Sequence, residues 1–443
     1  MFGNVIEGTL LGDGTMDVVA LDGQVVARVP DSGALDLVAA LDYARECRPD
    51  RRPLAERIHL LRELAARYLG DPRLEHVQAI SGTPTHYLEE SRAAAREWID
   101  RLEEFVEIVD RFSQLRDGVS LQQRTVVSPH VVIAAGNFEI VEPLYLLGQY
   151  FLSGTHFIVR PSKNDIGSHV LMEHLLDLGI TDAGQKLTWS HVTQPTLVQA
   201  LLEGTPGFSV FASDATWEAV TRIVIPRRDE DEILDLAGSR NAHRYGSGYA
   251  AALVSDTADL ADAASGIAWA ALANRGNKCW AISTVLVDER VHDDFVDHLL
   301  AAAATLETRG LPRVPATLAA AGADHLPPDP VAGGPEAAGG GYRLLVYTDP
   351  SARFLLKQEV SLPVVGVIPY RGLGEAVRLL DEGLHARHRV ALLSLAFFGE
   401  DAQRDYVARY VPAHRVTLNE RPTIDLFAPH EGTFFLLDPS VPS

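Results

Sequence analysis

Residues 125 to 165, TVVSPHVVIAAGNFEIVEPLYLLGQYFLSGTHFIVRPSKND, constrain the fold more than any other stretch of the chain. VVIAA is a continuous apolar run, GN breaks it, IVEPLYLLGQYFL carries apolar residues at helical spacing, and SG releases the chain into HFIVR. Strands that are apolar throughout, rather than alternating, need cover on both faces, which predicts a parallel sheet layered between helices. The expected class is α/β. Asn137 closes the first strand, at the crevice beyond the strand ends where such sheets bind ligands. Its carboxamide can donate to an oxyanion, and an Asn after Gly also serves as a plain turn residue.

The second informative stretch is NRGNKCWAIST, around Cys279, which follows the helix-like run TADLADAASGIAWAALAN and precedes the strand-like TVLVDER. A thiolate is the reactive form of cysteine. A place near a helix terminus beside a cation such as Lys278 favours ionisation and attack on a carbonyl carbon. The other reading is a small buried hydrophobe, since free cysteine packs well in cores. Cys47 is the only other cysteine and reads as incidental, so the chain has no disulfide framework and suits a reducing cytoplasm.

Together these segments resemble the aldehyde dehydrogenase superfamily, over most of the chain from residue 50 to residue 430. The resemblance implies that Cys279 is the nucleophile and Asn137 part of the oxyanion hole. Two further motifs fall in the family's order. KQEVSLPVVGVIPY puts Glu359 where a carboxylate holds the nicotinamide ribose, and RVTLNERP puts Asn419 in the late Asn-x-x-Pro turn. The implied architecture is a Rossmann-like cofactor domain with an α/β catalytic domain, each built on a mainly parallel sheet. The expected divisions are an N-terminal segment and NAD(P)-binding domain over 1–250, a Cys-bearing domain over 251–425, and a C-terminal arm over 426–443 that joins subunits into a homodimer.

The departures from the family pattern point to a branch within it. Hydrolytic members carry a water-activating Glu in a Glu-Leu-Gly-Gly run. Counting back from Cys279, that run falls on Arg244-Tyr245-Gly246-Ser247, without an acid; a rival register puts it on Asp235-Leu236-Ala237-Gly238. Without that base the acyl-enzyme needs another fate, and the chain is then similar to the acyl-thioester (acyl-CoA) reductases. The expected activity is NADPH-dependent reduction of an acyl thioester to an aldehyde. The alternatives are NAD(P)-dependent oxidation of an aldehyde, and a non-catalytic descendant that binds a ligand or partner.

In FSVFASDATWEAV, Ser213 and Glu218 stand where the resemblance implies glycines near the cofactor diphosphate. At the end of HFIVR, the resemblance puts Arg160 in place of a ribose-binding Lys, with Ser162 between it and Lys163, which replaces a Glu. An ammonium there removes repulsion of a 2′-phosphate, and Arg160 can grip phosphate, so NADPH is favoured with NADH as the alternative.

A net charge of −21 excludes nucleic acid as the expected partner. The expected substrate is a small-molecule acyl thioester, free or on a carrier protein. The acidic surface slightly favours the free coenzyme A ester. No apolar run approaches a membrane span, and MFGNVIEGTLLGDG lacks the regions of a signal peptide. TMDVVALDGQVVARV reads as a hairpin around Asp-Gly, and helices are expected from residue 33 to residue 112. Residues 308–341 are rich in Ala, Gly and Pro and read as a surface connection. His156, His169 and His174 show no metal spacing, and His243 reads as structural.

Overall fold

The computed structural model describes residues 2–6, 8–11, 16–20, 23–47, 50–81, 85–116, 128–189, 201, 205, 207–212, 242–245, 250–272, 276, 278–307, 344–348, 351–356, 362–386, 392–411 and 413–420. The expectations for 308–341 and for the arm at 426–443 lie outside the described residues.

In chain order, strands β1 (Asn4–Ile6) and β2 (Thr9–Leu11) form an antiparallel pair. Strands β3 (Met16–Val19) and β4 (Val25–Val29) form the hairpin expected around Asp-Gly, with Gly23 at φ +89° in its turn. Next come β5 (His130–Ile133), β6 (Phe157–Arg160), β7 (Gly184–Lys186), β8 (Gly207–Phe211) and β9 (Ala242–Tyr245). These build a seven-stranded sheet in the order β2, β1, β7, β6, β5, β8, β9, parallel from β7 to β9.

Strands β5 and β6 are buried at every position, as the unbroken apolar runs require. Val131, Ile133 and Ile158 face a cluster that includes Leu37, Ala40 and Ala44 of the helix Ala34–Glu46. Val132, Phe157 and Val159 face the larger core on the opposite side, with helices Leu54–Leu69 and Val141–Ser153. Trp98 lies at the heart of that core, edge-on to Phe105 and Tyr145 with ring centroids 5.6 Å and 5.1 Å away. The long helical stretch around it is two helices, Thr85–Asp100 and Leu102–Arg116. Backbone hydrogen bonds from Arg101 N to Glu97 O and from Phe105 N to Arg101 O run across the junction.

The second sheet holds β10 (Ala250–Val254), β11 (Ile282–Asp288), β12 (Leu345–Thr348), β13 (Val364–Tyr370), β14 (Leu392–Phe398) and β15 (Ala413–Leu418). Its order is β12, β13, β11, β10, β14, β15, and every pairing is parallel. Side chains again alternate between two cores: Ala250, Ala252 and Val254 pack toward the helix Leu260–Leu272, while Ala251 and Leu253 pack toward the helix Leu373–Ala386. The α/β class and the two mainly parallel sheets are as expected. Among the described residues, no helix is long and apolar enough to cross a membrane.

The turn after β5 is braced from below. Tyr68 on the helix Leu54–Leu69 donates its hydroxyl to Ile140 O at 2.8 Å. Gly167, in the first turn of the helix Ile166–Asp177, lies so close that a Cβ there would sit 2.0 Å from Glu139 O and 2.8 Å from the Tyr68 hydroxyl. Gly167→Ala must therefore displace main chain, and a loss of about 1–3 kcal/mol is expected in denaturant unfolding. An unchanged midpoint would contradict that close approach.

Asp165 caps the same helix, its Oδ1 accepting from the Ser168 N–H at 2.9 Å. Burial pushes its pKa up to about 7, against the opposing pull of the hydrogen bonds from Ser168. The folded protein thus keeps a proton that the unfolded chain releases near pH ~4, so this group's stabilisation is complete below that and disappears as pH rises through ~7. Asp165→Asn is expected to remove the decline. Thermal unfolding should show the Tm of the variant gaining on that of the parent between those pH values; a pH-independent difference would clear Asp165 of the effect.

Candidate active site

The β5 strand hands the chain to a turn in which Gly136 and Asn137 emerge from the sheet before Phe138, Glu139 and Ile140 return to the interior. The Glu139 N–H donates to Glu142 Oε2 at 3.2 Å, which ties the turn to the start of the helix Val141–Ser153. Asn137 therefore stands half-buried at the carboxyl end of a central strand, as expected.

Cys279 reaches the same place from the other sheet. Gly276 adopts φ +71°, and a Cβ there would lie 2.1 Å from Leu362 O, so the chain passes this point only with glycine. Lys278 and Trp280 are both buried, and the Ala281 N–H donates to Lys278 O at 2.9 Å, closing a tight turn before β11. Cys279 is exposed at the apex of that turn. The buried-hydrophobe reading does not describe it.

Lys278 joins the two segments. Its Nζ donates to Asn137 O at 2.8 Å and to Glu142 Oε1 at 2.5 Å, and lies 3.3 Å from Glu139 Oε2. Only 3% of the side chain is exposed. Burial disfavours its charge, but Glu139 and Glu142 more than offset this and hold the ammonium well above its ordinary pKa. This differs from the sequence expectation of a cation available to the sulfur. One ammonium faces two carboxylates, and its hydrogen bonds point at the Asn137 turn.

Tyr87, on the helix Thr85–Asp100, closes the same neighbourhood. Its ring lies 6.2 Å from that of Trp280 and 5.7 Å from that of Trp269, which themselves stack at 5.8 Å. Burial raises its hydroxyl pKa well above the ordinary value; Lys278 opposes the rise, while Glu139, Glu142 and Cys279 add to it. The hydroxyl stays protonated beside the Cys279 turn. Nothing in HYLEESRAAAREW distinguishes this tyrosine from any other on an amphipathic helix, so sequence reasoning missed it.

The expected cofactor residues cluster at the end of β6. Arg160 is buried, donates from Nη2 to Trp189 O at 2.8 Å and holds its guanidinium over the Trp189 ring at 5.2 Å. Burial lowers its pKa to about 10. Its Nε, together with Thr188 Oγ1 and Trp189 Nε1, is buried without a hydrogen-bond partner among the described residues. Ser162 is half-buried, Lys163 is exposed, and a Cβ on Gly136 would lie 3.5 Å from Ser162 Oγ. The turn carrying Ser162 and Lys163 is thus next to the turn carrying Asn137.

Ser213, Glu218, Asp235 and Glu359 lie outside the described residues. The β9 backbone runs beside β8 to Tyr245, and β10 of the other sheet opens at Ala250. Asn419, at φ 48°, accepts from Gly399 N and donates to Gly399 O, both at 2.8 Å, and so locks the end of β15 to the end of β14. His156 bonds Asp182 O, His174 bonds Asp71, and His169 stacks on Phe2, so these three have separate surroundings.

Residues 231–324, which include Cys279, match the aldehyde dehydrogenase family. A stretch of 178 residues is 29% identical to malonate-semialdehyde dehydrogenase 1 of Shouchella clausii (strain KSM-K16), covering 39% of this chain and 33% of that protein, about a third of its length. Solved structures match over far more of the chain. An NAD-dependent benzaldehyde dehydrogenase from Corynebacterium glutamicum superposes with TM-score 0.76 at 17% identity, covering 95% of each chain. For a point mutant of the 1-pyrroline-5-carboxylate dehydrogenase of Thermus thermophilus the TM-score is 0.75 at 19% identity, over 98% of this chain and 91% of that one. Lactaldehyde dehydrogenase from Escherichia coli gives 0.73 at 18%, over 96% and 92%. The chain thus shares the fold of these aldehyde dehydrogenases along nearly its whole length, and the segment around the exposed cysteine matches the aldehyde dehydrogenase family.

Proposed function

We propose that this protein is an NAD(P)-dependent oxidoreductase that oxidises an aldehyde through a covalent intermediate on Cys279. One observation carries the reading: an exposed cysteine at the apex of a tight turn, whose neighbour Lys278 hydrogen-bonds the main chain of Asn137. The named relatives act on semialdehyde, benzaldehyde and lactaldehyde substrates, which favours oxidation as the direction.

The Cys279 thiolate adds to the carbonyl carbon, and the carbonyl π electrons move to oxygen. The Asn137 carboxamide and the Cys279 N–H stabilise that oxyanion. A nicotinamide cofactor, when bound, supplies the hydride acceptor. Cys279 is left as a thioester, and attack by water returns the thiol and releases the acid. Tyr87, protonated and buried, together with Trp269 and Trp280, forms an aromatic wall next to the sulfur.

The residues at the end of β6 suit a dinucleotide: Ser162 and Lys163 leave the strand beside the Asn137 turn, and Arg160 Nε, Thr188 Oγ1 and Trp189 Nε1 offer unused donors and an acceptor. NADPH is the preferred cofactor in this reading. Because Arg160 is engaged with Trp189 O, the phosphate partner is Lys163, which is exposed. Ser213 and Glu359 keep their proposed cofactor roles from the sequence.

Thioester reduction to an aldehyde is the second reading, and one feature favours it. Strand β9 reads Ala-His-Arg-Tyr and ends at Tyr245, the register in which a water-activating carboxylate is missing. In that reading Cys279 sulfur would bond the acyl carbon as the substrate's C–S electron pair leaves with its thiol, and a reduced nicotinamide cofactor, when bound, would supply the hydride, giving aldehyde rather than acid.

Cys279→Ser is expected to lower turnover by roughly three orders of magnitude or more while cofactor binding, read by nicotinamide fluorescence, stays near its original value. Unchanged turnover would end the scheme. Assaying the intact enzyme with aldehyde plus oxidised cofactor, and separately with acyl-CoA plus reduced cofactor, separates the two directions. If neither substrate leaves an acyl mass on Cys279, the chain is a binding protein.

Lys163→Glu should move the ratio of kcat/KM for the NADP and NAD forms toward NAD by roughly tenfold, the scale of one charge-assisted contact of about 1.4 kcal/mol. A ratio that does not move would remove Lys163 from the phosphate site.

A further inference from the structure

We infer that Lys278, held by Glu139 and Glu142, is the positioning residue of the oxyanion hole. This rests on the reading of Cys279 and Asn137 given above and deepens it. Lys278 acts through the Asn137 turn rather than on a reacting atom.

Three observations support the assignment. The ammonium donates to Asn137 O, so it holds the main chain of the residue whose side chain serves the oxyanion. The lysine immediately precedes Cys279 in sequence and the Ala281 N–H fixes its carbonyl, so a shift of Lys278 is a shift of the nucleophile turn. Glu139 and Glu142 follow Asn137 on the same turn and first helical residues, and both lie within 3.3 Å of the ammonium. The two halves of the site come from different sheets, and this group spans them. Orientation is where such a link matters, since a misplacement of ~1 Å in a catalytic group costs on the order of a hundredfold in rate.

The test separates acyl transfer, which needs the oxyanion hole, from alkylation, which does not. Acyl transfer is read as the burst of p-nitrophenolate from p-nitrophenyl acetate: Cys279 sulfur bonds the acetyl carbon, and the ester C–O electron pair leaves with p-nitrophenolate. Alkylation is read with iodoacetamide at its high-pH plateau, where every variant is thiolate. In Lys278→Met the burst rate is expected to fall roughly tenfold to a hundredfold, with the alkylation plateau within about threefold of the parent. Lys278→Arg should recover most of the burst, and Glu142→Gln, which keeps shape and acceptor, should show a smaller loss of the same kind. Glu142→Gln also keeps the test open where Lys278→Met fails to fold.

Asn137→Ala completes a double-mutant cycle. Lys278→Met should cost little in the Asn137→Ala background, because its effect passes through Asn137. Additive losses, or alkylation falling in step with acylation, would overturn the inference while a burst in the parent enzyme upholds the nucleophile. No burst in the parent enzyme would overturn the functional reading and the positioning role together.

Discussion

A buried ammonium shared by Asn137 O, Glu142 and Glu139 is the interaction on which the site depends. Desolvating a lysine costs several kcal/mol, and a single partner repays that only with good geometry. Two carboxylates and a carbonyl repay it here, each at close range and each an oxygen acceptor. The attraction of one such pair is on the order of 4 kcal/mol at an effective dielectric near 20, so two of them outweigh the burial penalty that lowers the pKa of an isolated buried lysine. The result is a fixed charge, and it is fixed at the seam between two sheets. Each sheet is packed between two apolar cores, but neither by itself brings a cysteine to a carboxamide.

Much of the frame was legible from residue pattern, because hydrophobic burial is a local property of strands and helices. VVIAA, apolar at every position, and HFIVR, apolar between His156 and Arg160, became β5 and β6, buried on both faces; IVEPLYLLGQYFL became the helix between them, ended by Gly154 in a left-handed conformation at φ 74°. Cys279, between a helix-like and a strand-like run, reads from the residues alone as either a nucleophile or a buried hydrophobe, and its exposure excludes the second. Contacts between distant segments were not legible. Lys278 and Glu142 are 136 positions apart, and a lysine before a cysteine looks like a local electrostatic aid until the carboxylates that claim it are in place. Tyr87 joins the site from a helix whose pattern reports only which face is apolar.

Arg160, at the end of β6, teaches the same lesson. Its sequence position at the end of β6 suggests an outward guanidinium, yet Trp189, 29 residues on, offers a carbonyl and an aromatic face that take it inward. A planar guanidinium can stack and donate in one arrangement, which makes such capture favourable where an exposed ammonium like Lys163 would stay in water. The division of labour follows from hydration. Arg160 stiffens the strand end, and Lys163 remains available to an anionic ligand.

In the proposed reading, the direction of the chemistry turns on what happens to a thioester on Cys279, and that depends on water rather than on the thiolate. Thiolate attack and oxyanion stabilisation serve oxidation and reduction alike, so the residues described around Cys279 do not discriminate between them. Discrimination needs a base near the acyl carbon. In the register counted back from Cys279 the resemblance puts that base at Arg244, and β9, Ala242–Tyr245, reads alanine, histidine, arginine and tyrosine. The carboxylates of Glu139 and Glu142, on the Asn137 turn and the helix after it, are already engaged with Lys278. Hydrolysis, on the proposed reading, calls for a base other than these two. Reduction requires none, and that asymmetry is the strongest physical argument for keeping the second direction beside the first.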